Sequence, residues 1–436
     1  MADFARSTHP AVQAQLDRLS KLSPAGDRLG LERITALLER LGRPQDRLPP
    51  VFHVAGTNGK GSTCAFLRAA IEASGQMVHM FTSPHLVRFN ERIRVAGRLI
   101  DDDALAALLT EVIDAGDGIE PSFFEVAAAT ALVAFARTPA DACILEVGLG
   151  GRLDATNVVD RPAACGIASL GLDHQQFLGT RIEDIAGEKA AIAKAGVPLV
   201  TQLYPAPVAQ RVWQVAKERG AIWLPRGRTW DATVSRGRLQ YRDAVGTLDL
   251  PLPSLPGKHQ AHNAGLAIAM LRHQRAIDVP DEAIRDAMPQ ASWPARMQRL
   301  GDGPLLDALP AGSELWLDGG HNRSAAKAIA EFVQLRFNDQ LPLVIVFASL
   351  ASKDPKGMLS PFRGLAQLVL TLPIPGHDHR QPGELADLAR TLGFTAQAFD
   401  NLAEALNAIA APARVLIFGS LYLAGEVLTA NGELPD

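Results

Sequence analysis

The sequence predicts an α/β protein of two domains. A P-loop-type, mainly parallel sheet domain with a small antiparallel insertion spans 1–292, and a smaller Rossmann-like α/β domain spans 293–436. Three observations predict this. Short apolar runs alternate with longer helical patterns through the first half, as βαβ units do. One such run leads into a Gly-rich turn, a lysine and two hydroxyl residues at the mouth of a helix. A stretch with two prolines, MPQASWPAR at 288–296, then reads as a linker, and a second alternation begins beyond it.

In the first domain the expected strands are 51–55, 77–82, 142–147, 163–169 and 198–201, with helices at 63–74, 124–137 and 182–195 between them. Over 222–255 the pattern changes to short alternating segments broken by Gly and Pro. That predicts a small antiparallel sheet ahead of a helix at 262–274. In the second domain, strands at 315–318, 343–348, 368–372 and 415–419 are separated by helices such as 324–335 and 383–392. No internal repeat, heptad run or low-complexity segment interrupts the series.

A chain of 436 residues exceeds the usual size of one domain, which agrees with the two alternations. With 47% hydrophobic and 21% charged residues, the composition is that of an ordinary soluble globular protein. A net charge of −4 supplies no global field for nucleic acid or an anionic membrane, so neither is expected as a partner. Anionic substrates would need local clusters of Arg, Lys and metal. The three cysteines, Cys64, Cys143 and Cys165, are odd in number and widely spaced in apolar surroundings. They read as reduced core thiols rather than a disulfide framework or a zinc site. The first residues have no apolar run behind their charges, and the apolar stretch at 126–136 is far short of the roughly 20 residues that span a bilayer. The cytoplasm is the expected address and a monomer the expected state.

The strongest local signal is VFHVAGTNGKGST at 51–63. Glycines let backbone N–H groups face an anion, and a following helix N-terminus adds its positive dipole end. Asn58, Gly59, Lys60, Gly61, Ser62 and Thr63 are therefore the candidate ATP-phosphate residues. Lys60 is suited to the β- and γ-phosphates, and Ser62 or Thr63 to phosphate or magnesium. The spacing is not that of the ordinary Walker loop, because Val54 stands five residues before Gly59. The bland reading is a strand–turn–helix corner with a surface lysine; strand, turn, Lys and hydroxyls in this order outweigh it.

AGTNGKGST at 55–63 resembles the phosphate loop of the Mur ligase superfamily, and its Lys-Gly-Ser/Thr form is similar to the folylpolyglutamate synthase branch. Further matches follow in order: TSPHL (82–86), ILEVGLGGRLDATN (144–157), LDH (172–174), GEKA (187–190), WPAR (293–296), DGGHN (318–322) and FGSLY (418–422). The resemblance runs from about Leu29 to Tyr422. It implies an ATP-dependent, magnesium-requiring carboxylate–amine ligase. Such an enzyme adds L-glutamate to dihydropteroate and to the γ-carboxylate of reduced folates through an acyl phosphate.

The same resemblance implies Ser83 and Glu146 as ligands of one magnesium and His174 of a second, with an N-carboxylated Lys189 supplying an anion for it. An isolated His is more often a hydrogen-bonded structural residue, and a Lys beside Glu188 more often an exposed ion pair; the family context reverses both. Asn263 is implied for adenine, Arg296 for a phosphate, Asp318 and His321 for the ribose and phosphates, and His321 and Ser420 also for glutamate and its amine. Asp318 also reads as a helix N-cap. A site shared between two domains would exclude water on closure, as an acyl phosphate requires.

On the folate side, DRLGLE at 27–32 resembles the pterin loop, which implies Leu29 and Gly30. Ser122 and Phe124 are implied against the pterin, and Asp154 and Ala155 follow the Gly-rich turn at 148–151. A carboxylate at 154 could accept hydrogen bonds from the donor edge of a pterin. Arg88 and Arg92 read equally as partners of acidic substrate tails or as solvated helix-face residues. LPIPGHDHR at 372–380 departs from the family's shorter element by extra His and Asp. Two other readings remain open. One is a Mur-type ligase acting on a cell-wall precursor. The other is a nucleotide-binding module without ligase chemistry, which would hydrolyse ATP without needing an amino acid.

Overall fold

Five consecutive buried residues, Val51–Ala55, form the central strand of the first domain; a parallel strand covered on both faces is mostly apolar, and here only His53 is not. The computed structural model describes residues 6–21, 29–337 and 340–436. Asp27 and Arg28, which open the DRLGLE motif, lie outside the described residues. Eight strands build the first sheet: β1 Val51–Ala55, β2 Val78–Phe81, β3 Ile93–Val95, β4 Arg98–Leu99, β5 Ala142–Glu146, β6 Ala164–Ile167, β7 Pro198–Thr201 and β8 Ile222–Pro225. Their order is β4-β3-β2-β5-β1-β6-β7-β8. All neighbours pair parallel except β2–β3 and β3–β4. β1 lies between β5 and β6, with Val54 opposite Glu146 and Ala55 opposite Ile167. The carboxyl ends of β1, β2, β5 and β6 therefore meet along one rim, where open α/β sheets receive ligands.

Both faces of this sheet are covered. Helix Phe123–Arg137, apolar on every side, packs with Phe81 and Leu145 on one face. Helices Ile182–Ala190 and Ala206–Glu218 cover Ile167 and Leu199 on the other. Several boundaries differ from the sequence reading. Residues 222–225 join the main sheet as its parallel edge strand β8 instead of opening the antiparallel sheet. The helix expected over 182–195 ends at Ala190, and a turn leads into Gly196, whose φ of 72° ends any helical continuation. Helix Asp281–Gln290 runs on into the segment expected as linker, carrying Pro289 in its last turn.

The antiparallel sheet is a meander of β9 Trp230–Ser235, β10 Arg238–Asp243 and β11 Thr247–Leu250. Its first turn places Arg236 and Gly237 both at positive φ, 52° and 74°, as a hairpin turn matched to strand twist requires. The third sheet holds β12 Gln298–Arg299, β13 Glu314–Asp318, β14 Leu343–Phe347, β15 Leu368–Thr371, β16 Thr395–Ala398 and β17 Arg414–Phe418, in the order β12-β13-β17-β14-β15-β16. Only β12 is antiparallel to its neighbour. β16, with the sequence TAQA, has a single buried residue, so no apolar run announces it. Apart from the terminal Asp436, the chain divides into two compact units, Met1–Ser254 with His259–Ser292, and Leu255–Lys258 with Trp293–Pro435. The three cysteines are free and buried. Among the described residues no helix is long and apolar enough to cross a membrane.

Candidate active site

The turn after β1 is shaped by what it cannot carry. Gly59 stands at φ 87° and caps helix Lys60–Ala73, and a Cβ there would run into the Asn263 carboxamide. The turn is stitched to the segment after β6: the Thr57 N–H donates to the Ser169 carbonyl at 2.8 Å, and the Ser169 hydroxyl donates to the Asn58 carbonyl at 3.1 Å. The Thr63 hydroxyl donates to the Gly59 carbonyl at 2.8 Å, one helical turn back. Gly61 and Ser62 are buried at the start of the same helix. Asn263, expected at adenine, packs behind Gly59 and donates to Gln260 Oε1 at 2.9 Å, so it supports the loop from below.

Lys60 opens the helix, and its Nζ lies 3.9 Å from Glu146 Oε1. Glu146, the last residue of β5, is buried and accepts the Ser83 N–H at 3.3 Å. Three residues that the sequence reading linked are thus brought together by the rim of the sheet. Lys189 is buried in helix Ile182–Ala190, away from Glu188, which turns outward to Arg152 at 2.9 Å. The Lys189–Glu188 ion pair, the bland alternative, does not form. Burial, with the like charge of Lys60, brings the Lys189 ammonium down to about 7. Asp173, Asp154 and Glu188 act the other way; Asp173 had not been singled out from the sequence, though it stands next to His174. His174 takes the left-handed conformation, φ 50°, ahead of the short helix Gln175–Leu178, and its N–H donates to the Asp173 carboxylate at 2.9 Å.

The folate-side residues turn out to do much structural work. Ser122 is the N-cap of helix Phe123–Arg137, in a capping box: Glu125 N–H donates to its hydroxyl at 3.3 Å, and its own N–H donates to Glu125 Oε2 at 2.6 Å. The half-buried Phe124 ring lies against Gly148, where no side chain would fit, and 5.9 Å from the Phe81 ring. Ala155 is a core residue. Leu29 is exposed beside Gly30, ahead of helix Glu32–Arg40.

Asp154 holds the turn beside it. It is 3% exposed, and its carboxylate accepts the Leu149 N–H at 2.8 Å, the Thr156 N–H at 3.0 Å and the Thr156 hydroxyl. These bonds close the Gly-rich turn from inside, while burial raises the carboxyl pKa. Asp154 thus has a loop-holding role beside the pterin contact that the resemblance implies. Behind it, Thr156 Oγ1 is 2.9 Å from Nε2 of His53, a fully buried residue in β1 that the sequence reading passed over. Arg92 is revised. It is 1% exposed, flanked by the Phe89 and Phe123 rings at 5.5 Å, and its Nε donates to His85 Nδ1 at 2.8 Å, so it is no helix-face residue.

In the second unit Asp318 ends β13. Its carboxylate accepts the Met297 N–H at 2.8 Å and the Gly320 N–H at 2.7 Å, with Arg296 as its near cation; burial nonetheless raises its pKa. The cap of helix Arg323–Arg336 is Asn322, not Asp318. Arg296 donates to the Ala295 carbonyl at 2.8 Å. His321 Nδ1 is 3.0 Å from the Gly319 carbonyl, which can only accept, so Nδ1 donates. Ser420 is buried and caps helix Leu421–Asn431, accepting the Tyr422 N–H at 3.1 Å. In the departing loop the His377 ring stacks on Tyr422, centroids 3.7 Å apart, and the Arg380 N–H donates to the Ser349 carbonyl at 2.9 Å. The loop is thereby tied to the carboxyl ends of β14 and β17.

Comparison with known proteins agrees with this architecture. A family model of the dihydrofolate synthetase C-terminal domain matches residues 310–430. The dihydrofolate synthase/folylpolyglutamate synthase of Escherichia coli (strain K12) is 35% identical over 406 residues, which cover 92% of this chain and 90% of that one. Among solved structures, E. coli FolC in complex with DHPP and ADP is similar with a TM-score of 0.85 at 33% identity, covering 97% of each chain. A bifunctional folylpolyglutamate synthase/dihydrofolate synthase with Mn, AMPPNP and L-glutamate bound gives a TM-score of 0.85 at 32% identity, covering 97% of this chain and 99% of its own. With relatives this similar along nearly its whole length, the chain belongs to the dihydrofolate synthase/folylpolyglutamate synthase family.

Proposed function

We propose that the protein is an ATP-dependent ligase that adds L-glutamate to dihydropteroate, giving dihydrofolate, and to the γ-carboxylate of reduced folates. The observation that carries this reading is the rim where Lys60 and Glu146 stand 3.9 Å apart beside the Ser83 N–H, at the ends of adjacent parallel strands. The chemistry of that rim fits magnesium, a hard cation that prefers oxygen donors and keeps several waters. Glu146 and Ser83 would hold one ion, and His174 with an N-carboxylated Lys189 a second. Bound there, magnesium would draw charge from the γ-phosphate. Lys189 fits carboxylation because a buried amine whose pKa is down at about 7 is in part neutral and nucleophilic at physiological pH.

The chain's own residues have these tasks. Backbone N–H groups of the Gly59 turn and the Lys60 ammonium hold the phosphates and take up charge developing in transfer. A substrate carboxylate oxygen attacks the γ-phosphorus, the bond to the β-phosphate oxygen breaks, and ADP leaves. The amine of L-glutamate then attacks the acyl carbon, phosphate departs, and the new amide nitrogen sheds its proton. His321 and Ser420 are the candidates to receive that proton. Asp318 and Arg296 serve the nucleotide, and Phe124 and Leu29 the pterin. The protein acts as a monomer in the cytoplasm.

One assay tests the reading: ADP release with dihydropteroate and with tetrahydrofolate, each with and without L-glutamate. Glutamate-dependent release is expected with both. Release that ignores glutamate, or that requires a nucleotide-linked peptide precursor instead of a pterin, would overturn it.

A further inference from the structure

Lys189 sits in the last turn of a nine-residue helix, one residue from its end at Ala190. Last turns fray, so this position by itself would leave the direction of a functional lysine poorly fixed. Its neighbour Glu188 is held twice by Arg152. The Arg152 N–H donates to the Glu188 carbonyl at 2.9 Å, and Arg152 Nε donates to Glu188 Oε1 at 2.9 Å. Gly151 lies so close that a Cβ there would stand 2.7 Å from the Glu188 carbonyl oxygen and 3.0 Å from Lys189 Cα. The other side of the same turn is fixed by the Asp154 carboxylate and the Phe124 ring.

We propose that Arg152 and Glu188 are positioning residues that clamp the end of the Lys189 helix to the Gly-rich turn, so that the modified lysine terminus is presented to the metal. This rests on the reading of Lys189 as a carboxylated lysine. A solvent-exposed Arg–Glu pair as such contributes little, since water screens it and two long side chains must be ordered. This pair differs in acting with a backbone hydrogen bond on the residue adjoining Lys189. Its effect falls on geometry more than on global stability. Both side chains remain partly exposed, so they can be changed without opening the core.

The test uses the full-length protein with 13C-bicarbonate, reading the lysine carbamate by NMR, alongside Mn2+ binding followed by EPR. Arg152→Ala and Glu188→Gln are each expected to need roughly 3- to 5-fold more bicarbonate for half-occupancy, the range an exposed pair can supply. Mn2+ binding should weaken in parallel, with KM for ATP unchanged. The charge-exchanged double variant R152E/E188R is expected to recover most of the loss. Wild-type bicarbonate dependence in both single variants overturns the clamp, and so does a loss that the exchange leaves unrestored. A wild-type protein that shows no carbamate at saturating bicarbonate while releasing ADP in a glutamate-dependent way instead overturns the reading of Lys189 itself.

Discussion

At the scale of single residues, two kinds of side chain stand at the candidate site: those proposed to meet a ligand, and those that hold the loops around it. Lys60 is of the first kind by this proposal, with Glu146 as its near carboxylate at 3.9 Å. Lys60→Ala is therefore expected to lower kcat by about 10²- to 10³-fold, the usual consequence of removing a group that stabilises transition-state charge. Far-UV circular dichroism and the melting temperature should stay close to the unmutated values. Asp154 is of the second kind. Asp154→Ala leaves buried N–H groups at Leu149 and Thr156 without acceptors, at a cost of about 1–3 kcal/mol each. Urea unfolding should report that loss, and kcat/KM for dihydropteroate and for tetrahydrofolate should fall together; a loss confined to one substrate would show a direct pterin role. His53 gives a pH dependence. Burial and the charge of Lys194 push its pKa from 6.5 down to about 3. The unfolded chain therefore takes up the proton first as pH falls, and the folded state loses up to ~1.4 kcal/mol per pH unit below about 6.5. His53→Gln, which keeps a partner for Thr156 but does not titrate, is expected to flatten urea-unfolding stability between pH 6.5 and 4.5.

At the scale of elements, helix Phe123–Arg137 shows how one residue can look functional for a structural reason. Ser122 and Glu125 close its N-terminus reciprocally, and Glu125 also pairs with Arg33 at 3.1 Å. A helix apolar on all sides has few polar anchors, so its cap sets where Phe124 emerges. Ser122→Ala is expected to cost about 1 kcal/mol by thermal unfolding and Ser122→Thr only a fraction of it. If Ser122 served the pterin alone, the alanine variant would leave the melting temperature unchanged. The strands β1, β5, β7 and β17 were legible within a residue because each is a continuous apolar run between turn residues. β16 and β12 were not, since edge strands pair through the backbone and need little apolar surface.

At the scale of the whole molecule, the second unit has a core of its own, in which Phe347, Phe362 and Phe418 pack with Leu359 and Leu385. Its chain end is tied to its beginning: Glu433 accepts the Gly301 N–H at 2.8 Å and the Gln298 side-chain amide at 2.9 Å. A fragment spanning 293–435 is expected to fold alone, with a cooperative urea transition and dispersed amide resonances. Removing residues after 430 should weaken it by deleting both bonds. A fragment with collapsed amide dispersion would mean that this core needs the rest of the chain.

The sequence by itself determined the alternation of strands and helices, the phosphate turn and the family, because these rest on local patterns: apolar runs, glycine before lysine, motifs in fixed order. It placed Lys60, Ser83, Glu146 and Lys189 as candidates, and the order of β1, β2, β5 and β6 brings the first three to one rim. Only the tertiary structure decided what each neighbouring residue does with its polar atoms. Asp154 and Asn263 turn inward to hold loops, Thr63 bonds its own helix, and Arg92 lies between two rings. Arg152, inside a motif read for its glycines and aspartate, reaches a helix 36 residues further on. Such partners are far apart in the chain, and burial decides which of them a polar group must find, because an unmet donor or acceptor away from water costs more than any local preference supplies.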